Sequence, residues 1–201
     1  MGAPSGPRRV AAFDFDGTLT HRDTLLPFLA RVAGWPRTIA AAASVAPELA
    51  AVAFGRGNRD AAKERLLTRL LAGRPRADLA GAGVEYGRVL VERRLRPDMR
   101  DRVAWHQSHG HETVIVSASL DVYLLPVQRA VGIGGVVCTE LEVDDHGICT
   151  GRMRGGNCRG DAKARRLLAY LGDAPVELWA YGNSTGDDAM LDMADHPVRV
   201  R

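Results

Sequence analysis

The sequence lacks the features that mark disulfide-rich, secreted, membrane-spanning or nucleic-acid-binding proteins. Its three cysteines, Cys138, Cys149 and Cys158, are odd in number and have no CxxC spacing, so they predict reduced thiols, without a disulfide framework or a zinc site. The net charge of +3 is too small to indicate nucleic-acid binding. Residues 1–9 hold no apolar signal-peptide core, and the most apolar stretch, residues 38–54, falls short of the ~20 residues that span a bilayer. We therefore expect a cytoplasmic protein with no nucleic-acid partner.

The length and the apolar content suit one core domain that carries a smaller inserted one. Short apolar runs without helical period are typical of the buried strands of a parallel sheet. Segments of helical period alternate with these runs, one over about residues 97–109 and another over about residues 161–172. This alternation predicts an α/β fold with a Rossmann-like, doubly wound parallel sheet. The predicted strands are Val10–Asp14, Glu112–Val116, Gly135–Cys138 and Val176–Tyr181.

A long segment between the first two predicted strands contains no convincing strand. Apolar residues recur there at helical spacing, and a simple crossover would need far less chain. We therefore predict a helical cap domain over residues 25–94, inserted into an α/β core of residues 8–24 and 95–201. Further along, two short arms, Leu141-Glu142-Val143-Asp144 and Ile148-Cys149-Thr150, predict a small β-hairpin that turns at His146-Gly147. Pro126 interrupts a helical pattern, which predicts a kinked or late-starting helix.

Polar residues that can perform chemistry follow the predicted strands. Asp14 and Asp16 follow the first strand, Ser117 follows the second, and Asn183 and Asp187 follow the last. Ligands of open α/β sheets bind at the carboxyl edge, so we expect these side chains to converge there. Two carboxylates one residue apart cannot both be buried and ionised without a counter-charge. Mg²⁺ prefers oxygen ligands of this kind, and we predict it as the cofactor.

These residues can be given roles in phosphoryl transfer from a phosphomonoester. The cation and Lys163 would neutralise a phosphate dianion while Asp14 attacks phosphorus and forms an aspartyl-phosphate. Asp16 is placed to protonate the leaving alcohol and later to activate water. Each motif alone also fits a plain turn or a surface residue, but their order along the chain favours a catalytic site. Positioning of the phosphate oxygens is assigned to backbone N–H groups and to Gly17, Thr18 and Ser117.

Four segments, in this order, resemble the motifs of the haloacid dehalogenase superfamily. Phe13-Asp14-Phe15-Asp16-Gly17-Thr18 resembles the nucleophile motif, Val116-Ser117 the second motif and Lys163 the third. Residues 181–191 resemble the acidic fourth motif. The helical insertion is similar to the type-1 cap of the phosphoserine phosphatase-like branch. The resemblance implies a phosphatase that uses Mg²⁺.

The resemblance also implies a set of metal ligands, in which one residue departs from the family pattern. The implied ligands are the side chain of Asp14, the backbone carbonyl of Asp16 and acids of the fourth motif such as Asp187. The family usually has Gly-Asp-Ser in that motif, whereas this chain has Asn183. An amide oxygen can bind Mg²⁺, but the lost charge lowers the expected affinity. The alternative is a relative that binds a phosphorylated ligand without turning it over.

The resemblance leaves two substrate classes open. Phosphoserine phosphatases usually carry Ser-Gly-Gly where this chain has Ser117-Ala118-Ser119, and a glutamate at the position of Asp23. Bacterial phosphatidylglycerophosphatase-like members are more similar around Arg159, which would contact the phosphate or the head group. The apolar cap segment 38–54 would accommodate acyl chains or lie peripherally on an anionic membrane, although packing among cap helices explains it as well. The implied substrate-binding residues are Asp23, Ala118 and Arg159.

Three histidines, His106, His109 and His111, lie where a helix ends and a strand begins. A zinc site is the less favoured interpretation, because these side chains need not converge. The helix dipole suffices to explain histidines near a helix C-terminus.

Overall fold

The computed structural model describes residues 7–53 and 56–201. Residues 1–6 of the N-terminal segment, and Phe54 at the end of the apolar stretch, lie outside the described residues. Among the helices in the described ranges, none has the length and apolar character needed to cross a membrane.

The core is a six-stranded sheet whose strands, in chain order, are Arg8–Phe13 (β1), Glu112–Leu120 (β2), Gly135–Val143 (β3), Cys149–Arg154 (β4), Val176–Gly182 (β5) and His196–Arg199 (β6). Their spatial order is β4-β3-β2-β1-β5-β6, and neighbours run parallel except for the antiparallel pair β3 and β4. Residues 10–13 of the central strand are fully buried, because helices pack on both faces of the sheet. The predicted α/β class is thus confirmed.

The described helices are Leu25–Ala33 (α1), Trp35–Ala53 (α2), Arg59–Leu71 (α3), Arg76–Arg93 (α4), Pro97–Ser108 (α5), Asp121–Val131 (α6), Asp161–Leu171 (α7) and Asp188–Asp192 (α8). The first four occupy the predicted insertion, and no strand occurs in the part of residues 25–94 that the structure describes. The division into a core domain and a cap domain at these residues stays a prediction.

One inserted helix, α4, lies with its backbone directly against α6 of the core. A Cβ added to Gly83 would come within 2.0 Å of the Val122 carbonyl oxygen, and one added to Gly87 would come within 3.3 Å of the Tyr123 carbonyl oxygen. Pro126 has no N–H, so the Val122 carbonyl lacks the donor that a helix normally supplies. The helix begins at Asp121, directly after β2, and continues through Pro126, so the predicted late start is wrong, while the predicted kink stays a prediction.

The predicted hairpin is confirmed, but its first arm is longer than the sequence suggested. The predicted strand Gly135–Cys138 and the arm that begins at Leu141 form one continuous strand, β3. The turn is held by Asp144, whose Oδ1 accepts hydrogen bonds from the N–H groups of His146 and Ile148.

Candidate active site

Three central strands bring polar residues to one edge of the sheet. Asp14 is the first residue after β1, and its N–H donates to the Tyr181 carbonyl of β5 at 2.9 Å. Ser117 lies in β2 at the point where the pairing of this strand with β3 becomes irregular. Asn183 directly follows β5. The structure therefore brings Asp14, Ser117 and Asn183 to the predicted carboxyl edge.

A single ammonium group joins two buried carboxylates at the base of this site. Lys163 Nζ donates to Asp14 Oδ1 at 2.7 Å and to Asp187 Oδ1 at 2.5 Å, and all three side chains are buried. Burial raises the pKa of Asp14, and the lysine offsets that rise only in part. Burial alone would lower the pKa of Lys163, but the two carboxylates outweigh it and raise that pKa. Lys163 therefore stays protonated and supplies a fixed positive charge.

The other oxygen of Asp187 holds the loop that follows β5. Asp187 Oδ2 accepts from the N–H groups of Asn183 and Ser184, at 3.2 Å and 3.0 Å, and from the Ser184 hydroxyl at 2.9 Å. Although burial would raise it, Lys163 and these bonds hold the pKa of Asp187 below its usual value. The neighbouring Asp188 instead pairs with Arg199 at the protein surface. Asp187 therefore orients both the loop and Lys163, and its predicted role as a metal ligand stays a prediction.

Asp16 is held by the hydroxyl groups of Thr24, which precedes the inserted helices, and of Ser119 in β2. Its Oδ1 accepts from the Thr24 N–H at 2.9 Å and hydroxyl at 2.7 Å, and its Oδ2 accepts from the Ser119 hydroxyl at 2.5 Å. Tyr123 in turn donates to the Ser119 hydroxyl at 2.8 Å. Desolvation, followed by the negative charge of Asp23, raises the pKa of Asp16 to about 7. Such a carboxyl group can donate and accept a proton near neutral pH.

The predicted phosphate-binding residues surround the nucleophile. The Thr18 hydroxyl donates to Asp14 Oδ2 at 3.1 Å, and Ser117 Oγ accepts from the Ser119 N–H at 3.0 Å. Gly17 adopts a φ of +81°, and a Cβ there would come within 2.0 Å of Asn183 Nδ2. The amide of Asn183 therefore lies against the turn that follows Asp14, as a shared ligand site would require.

A cavity of about 560 Å³ opens above these residues. The core contributes its polar floor, and the inserted helices contribute an apolar wall of Leu25, Leu26, Val45, Leu49 and Leu66. Asp23 and Arg159 both line this cavity, as does Ala118. Asp23 Oδ1 also accepts from the Leu25 N–H at 3.0 Å, so this carboxylate caps the start of α1. A contact between Asp23 and a substrate stays a prediction, as it does for Arg159.

Comparison with known proteins identifies the family. The model of the haloacid dehalogenase-like hydrolases matches residues 11–192. The chain belongs to the haloacid dehalogenase-like hydrolases. It is 34% identical over 186 residues to the Protein CicA of Caulobacter vibrioides, covering 92% of this chain and 83% of that protein. It is 30% identical over 200 residues to the phosphoserine phosphatase of Halobacterium salinarum, covering 95% and 85% of the two chains.

A solved structure extends the similarity to the whole fold. The crystal structure of a Bordetella pertussis protein with unknown function matches with a TM-score of 0.81 and 28% identity, over 96% of this chain and 90% of that one. The predicted family, the predicted fold and the assignment of the chain as a phosphatase of the haloacid dehalogenase type are confirmed.

Phosphatases of this family generally use Mg²⁺, and the charges of this site suit it. Asp14 and Asp187 share one ammonium group, so the buried base of the site carries more negative than positive charge. Their carboxylates, the Asn183 amide and the Asp16 backbone carbonyl offer the oxygen donors that Mg²⁺ prefers. Among the residues that the structure describes, no three His, Cys, Asp or Glu side chains are arranged to hold a metal. An amide and a backbone carbonyl would therefore have to complete the ligand set.

Residues in and just before the inserted helices reach the site without having been predicted from the sequence. Thr24 precedes α1 and binds Asp16, while Lys63 of α3 donates to the Ala118 carbonyl at 2.5 Å. Lys63 also donates to Asn157 Oδ1 at 2.8 Å, and Asn157 Nδ2 donates to Asp60 Oδ1 at 2.7 Å. No local motif marks these residues, because their roles depend on packing between distant segments. The sequence feature that points to them is the similarity of the helical insertion to a cap, which places some of its residues over the site.

The histidine cluster has a structural explanation. His106 is fully buried, and its ring nitrogens lie 2.8 Å from His111 Nδ1 and 2.8 Å from the Tyr181 hydroxyl. His111 stacks on Trp179, while His109 lies against Trp105. In the described ranges these rings form no metal-binding group. The described residues therefore give no support to the less favoured zinc interpretation. Burial of His106 lowers its pKa to about 4.

Proposed function

We propose that this haloacid dehalogenase-like phosphatase hydrolyses phosphomonoesters through an aspartyl-phosphate on Asp14, with Mg²⁺ as its cofactor. One observation carries the proposal: Asp14, paired with Lys163, stands two residues from Asp16, whose pKa is about 7. A nucleophile and an acid/base group are thereby present in one cavity, in different electrostatic environments. The phosphoserine phosphatase of Halobacterium salinarum among its relatives supports a phosphomonoester substrate.

In the first step, a carboxylate oxygen of Asp14 forms a bond to phosphorus as the bond from phosphorus to the ester oxygen breaks. Asp16 in its protonated form gives its proton to that leaving oxygen, which departs as the alcohol. Lys163 neutralises charge on the phosphoryl group, and Thr18 holds Asp14 in position through the 3.1 Å bond to Oδ2. Bound Mg²⁺, held by Asp14, the Asp16 backbone carbonyl and Asn183, would add electrostatic stabilisation of the phosphoryl oxygens.

In the second step, the aspartyl-phosphate is hydrolysed. Asp16, now ionised, takes a proton from a water molecule whose oxygen bonds to phosphorus. The bond between Asp14 and phosphorus breaks, so phosphate leaves and the carboxylate is restored. The hydrogen bonds from Thr24 and Ser119 to the two oxygens of Asp16 would hold this carboxyl group in place in both steps.

The wall of the cavity bears on the choice of substrate. Val45 and Leu49 of α2 face the cavity, while Trp35 and Ile39 on the same helix are 58% and 62% exposed. An apolar wall beside the phosphate site favours an ester with an apolar portion, so we propose phosphatidylglycerophosphate as the first substrate to test. The alternative is a small metabolite such as phosphoserine, which would contact Asp23 near the rim.

The test is phosphate release from a panel of phosphomonoesters, with and without Mg²⁺. We expect Mg²⁺-dependent release that disappears in Asp14→Asn and persists in Asp188→Asn, a matched control in which the acid pairs with Arg199 at the surface. Acid-quenched wild type should carry a covalent phosphoryl group that peptide mapping places on Asp14. Full release by Asp14→Asn would exclude this mechanism.

Further arms separate the alternatives. A folded protein that binds phosphorylated compounds without releasing phosphate is a binding protein, as the loss of charge at Asn183 allows. Transfer of the phosphoryl group to added alcohols would identify a phosphotransferase. The lipid substrate is refuted if micellar phosphatidylglycerophosphate is turned over no faster than soluble esters and anionic vesicles are not bound.

A further inference from the structure

The chain is rich in arginine, yet it contains only two lysines among its 27 basic residues, and both line the same cavity. Lys163 lies between the carboxylates of Asp14 and Asp187, as expected of a buried ammonium group. Lys63 enters the cavity from α3 and makes no ion pair among the described residues. The two lysines therefore differ in how their charges are neutralised.

The polar partners of Lys63 within the described ranges are both neutral. They are the Ala118 carbonyl oxygen at 2.5 Å and Asn157 Oδ1 at 2.8 Å. Desolvation lowers the pKa of Lys63 to about 8, although Asp16 and Asp60 attract its positive charge. The net effect is a lowered pKa, because the desolvation of Lys63 outweighs its attraction to these two carboxylates. An ammonium group has three donors, so one remains for a ligand in the cavity.

The cavity rim adds further positive charge. Arg22 and Arg59 stand at the mouth and Arg159 lies half-buried beside Gly186. In the described part of the chain none of these three forms a salt bridge, whereas arginines elsewhere, such as Arg31 and Arg76, pair with carboxylates. Apart from Asp14, Asp16 and Asp187, Asp23 is the one carboxylate among the described residues that line the cavity. The substrate-binding part of the cavity is therefore cationic.

We propose that Lys63 is a specificity-determining residue, which selects phosphomonoesters whose leaving alcohol carries a second anionic group. This inference rests on the proposed phosphatase function and names its substrate class. Lys63 contacts Ala118, next to the phosphate-binding Ser117. Its charge also interacts with Asp16, the group that protonates the leaving oxygen, so Lys63 lies on the side of the cavity where the leaving alcohol would bind. The second anionic group is a carboxylate or a phosphodiester, and it would give the Lys63 ammonium group the negatively charged partner that its neutral protein contacts do not provide. Arg22 and Arg59 complement the same group from the rim.

A purely structural role makes a different prediction. Lys63 joins α3 to the core through Ala118 and Asn157, so its loss would also loosen the inserted helices. That effect would lower turnover of every ester by a similar factor. Selection of a second anionic group instead lowers turnover of acidic esters alone, and this difference is the readout.

The experiment compares kcat/KM for three soluble esters: glycerol phosphate, with an uncharged alcohol; 3-phosphoglycerate, with a carboxylate; and glycerophospho-glycerophosphate, with a phosphodiester. Wild type should prefer at least one acidic ester to glycerol phosphate by about 10- to 100-fold, the range of one hydrogen bond between charged groups. Lys63→Met should abolish this preference, and Lys63→Arg should retain most of it. Arg65→Met removes a charge from the surface of α3, where Arg65 pairs with Glu48, and should change nothing.

The three esters also identify the anionic group. Faster turnover of 3-phosphoglycerate indicates a carboxylate, and faster turnover of glycerophospho-glycerophosphate indicates a phosphodiester. Equal kcat/KM for all three, or a preference that survives in Lys63→Met, overturns the inference while leaving the phosphatase function intact. If no ester is hydrolysed, the proposed function fails separately. Lys63 is then judged by calorimetric binding of the same esters to Asp14→Asn with and without Lys63→Met, where equal or absent binding overturns the inference.

Discussion

The contact between α4 and α6 allows a matched pair of substitutions. Gly83 and Gly81 lie in the same helix, two residues apart, so alanine gives both the same intrinsic gain in helix propensity. At Gly81 an added Cβ meets nothing within 4 Å. At Gly83 it would lie 2.0 Å from the Val122 carbonyl oxygen and 2.6 Å from the carbonyl carbon, which are backbone atoms that no rotamer change can move.

These distances predict that the two substitutions change the stability of the protein in opposite directions. Gly81→Ala should stabilise the protein by about 0.5–1 kcal/mol, the usual difference between glycine and alanine inside a helix. Gly83→Ala must push α4 away from α6, and overpacking of this kind costs about 1–3 kcal/mol or more. In a chain of this size 1 kcal/mol corresponds to roughly 2–4 °C in Tm, so both effects are measurable.

The assay is urea unfolding followed by far-UV circular dichroism, with midpoints and slopes compared for wild type and both variants. The midpoint should rise for Gly81→Ala and fall for Gly83→Ala, with an unchanged slope for the first. If Gly83→Ala proves as stable as wild type, α4 does not lie backbone against backbone on α6.

Three further predictions concern titration and metal affinity. Because the pKa of Asp16 is about 7, the first step should slow as pH rises through 7 and the proton for the leaving alcohol is lost. Esters with acidic alcohols, such as p-nitrophenyl phosphate, should show a smaller decline, and identical pH profiles would contradict the role of Asp16. The pKa of His106 falls from 6.5 to about 4 on folding, so the unfolded chain binds more protons and stability is lost as pH falls from 6.5 to 4, by about 3 kcal/mol. His106→Gln should flatten this dependence in urea titrations, and an unchanged slope would refute the assignment. Asn183→Asp should lower the Mg²⁺ concentration for half-maximal phosphate release several-fold, whereas an unchanged value would show that this position does not contact the metal.

Some of the site was predictable because its residues follow buried strands. Asp14 and Asn183 come directly after apolar runs whose period identifies them as strands, and the carboxyl ends of parallel strands share an edge. Lys163 was predictable only in combination with these motifs, because a lysine near the start of a helix is by itself usually a surface residue. For Asp14 and Asn183 a short stretch of sequence determines both the secondary structure and the position of the side chain.

Other parts of the site depend on contacts between distant segments. Ser119 lies in the stretch where the pairing of β2 with β3 is irregular, and its hydroxyl donates there to Asp16, a contact that a regular strand pattern does not predict. Lys63 lies on an amphipathic helix where a single lysine resembles any surface residue, and its burial follows from how α3 packs on the core. The continuous strand β3 was likewise divided in the prediction, because exposed Glu140 interrupts its apolar pattern. Sequence periodicity describes one element at a time and contains no information on such packing.

The scarcity of lysine has a practical consequence for chemical labelling. Apart from the terminal amine, every primary amine of the chain stands in the catalytic cavity. Lys163 is kept protonated by two acids, whereas Lys63, with a pKa of about 8, is substantially unprotonated and nucleophilic at mildly alkaline pH. An amine-directed acylating reagent is therefore confined to the terminal amine and this cavity, and protection of Lys63 from acylation, read by peptide mapping, reports occupancy of the cavity without any turnover.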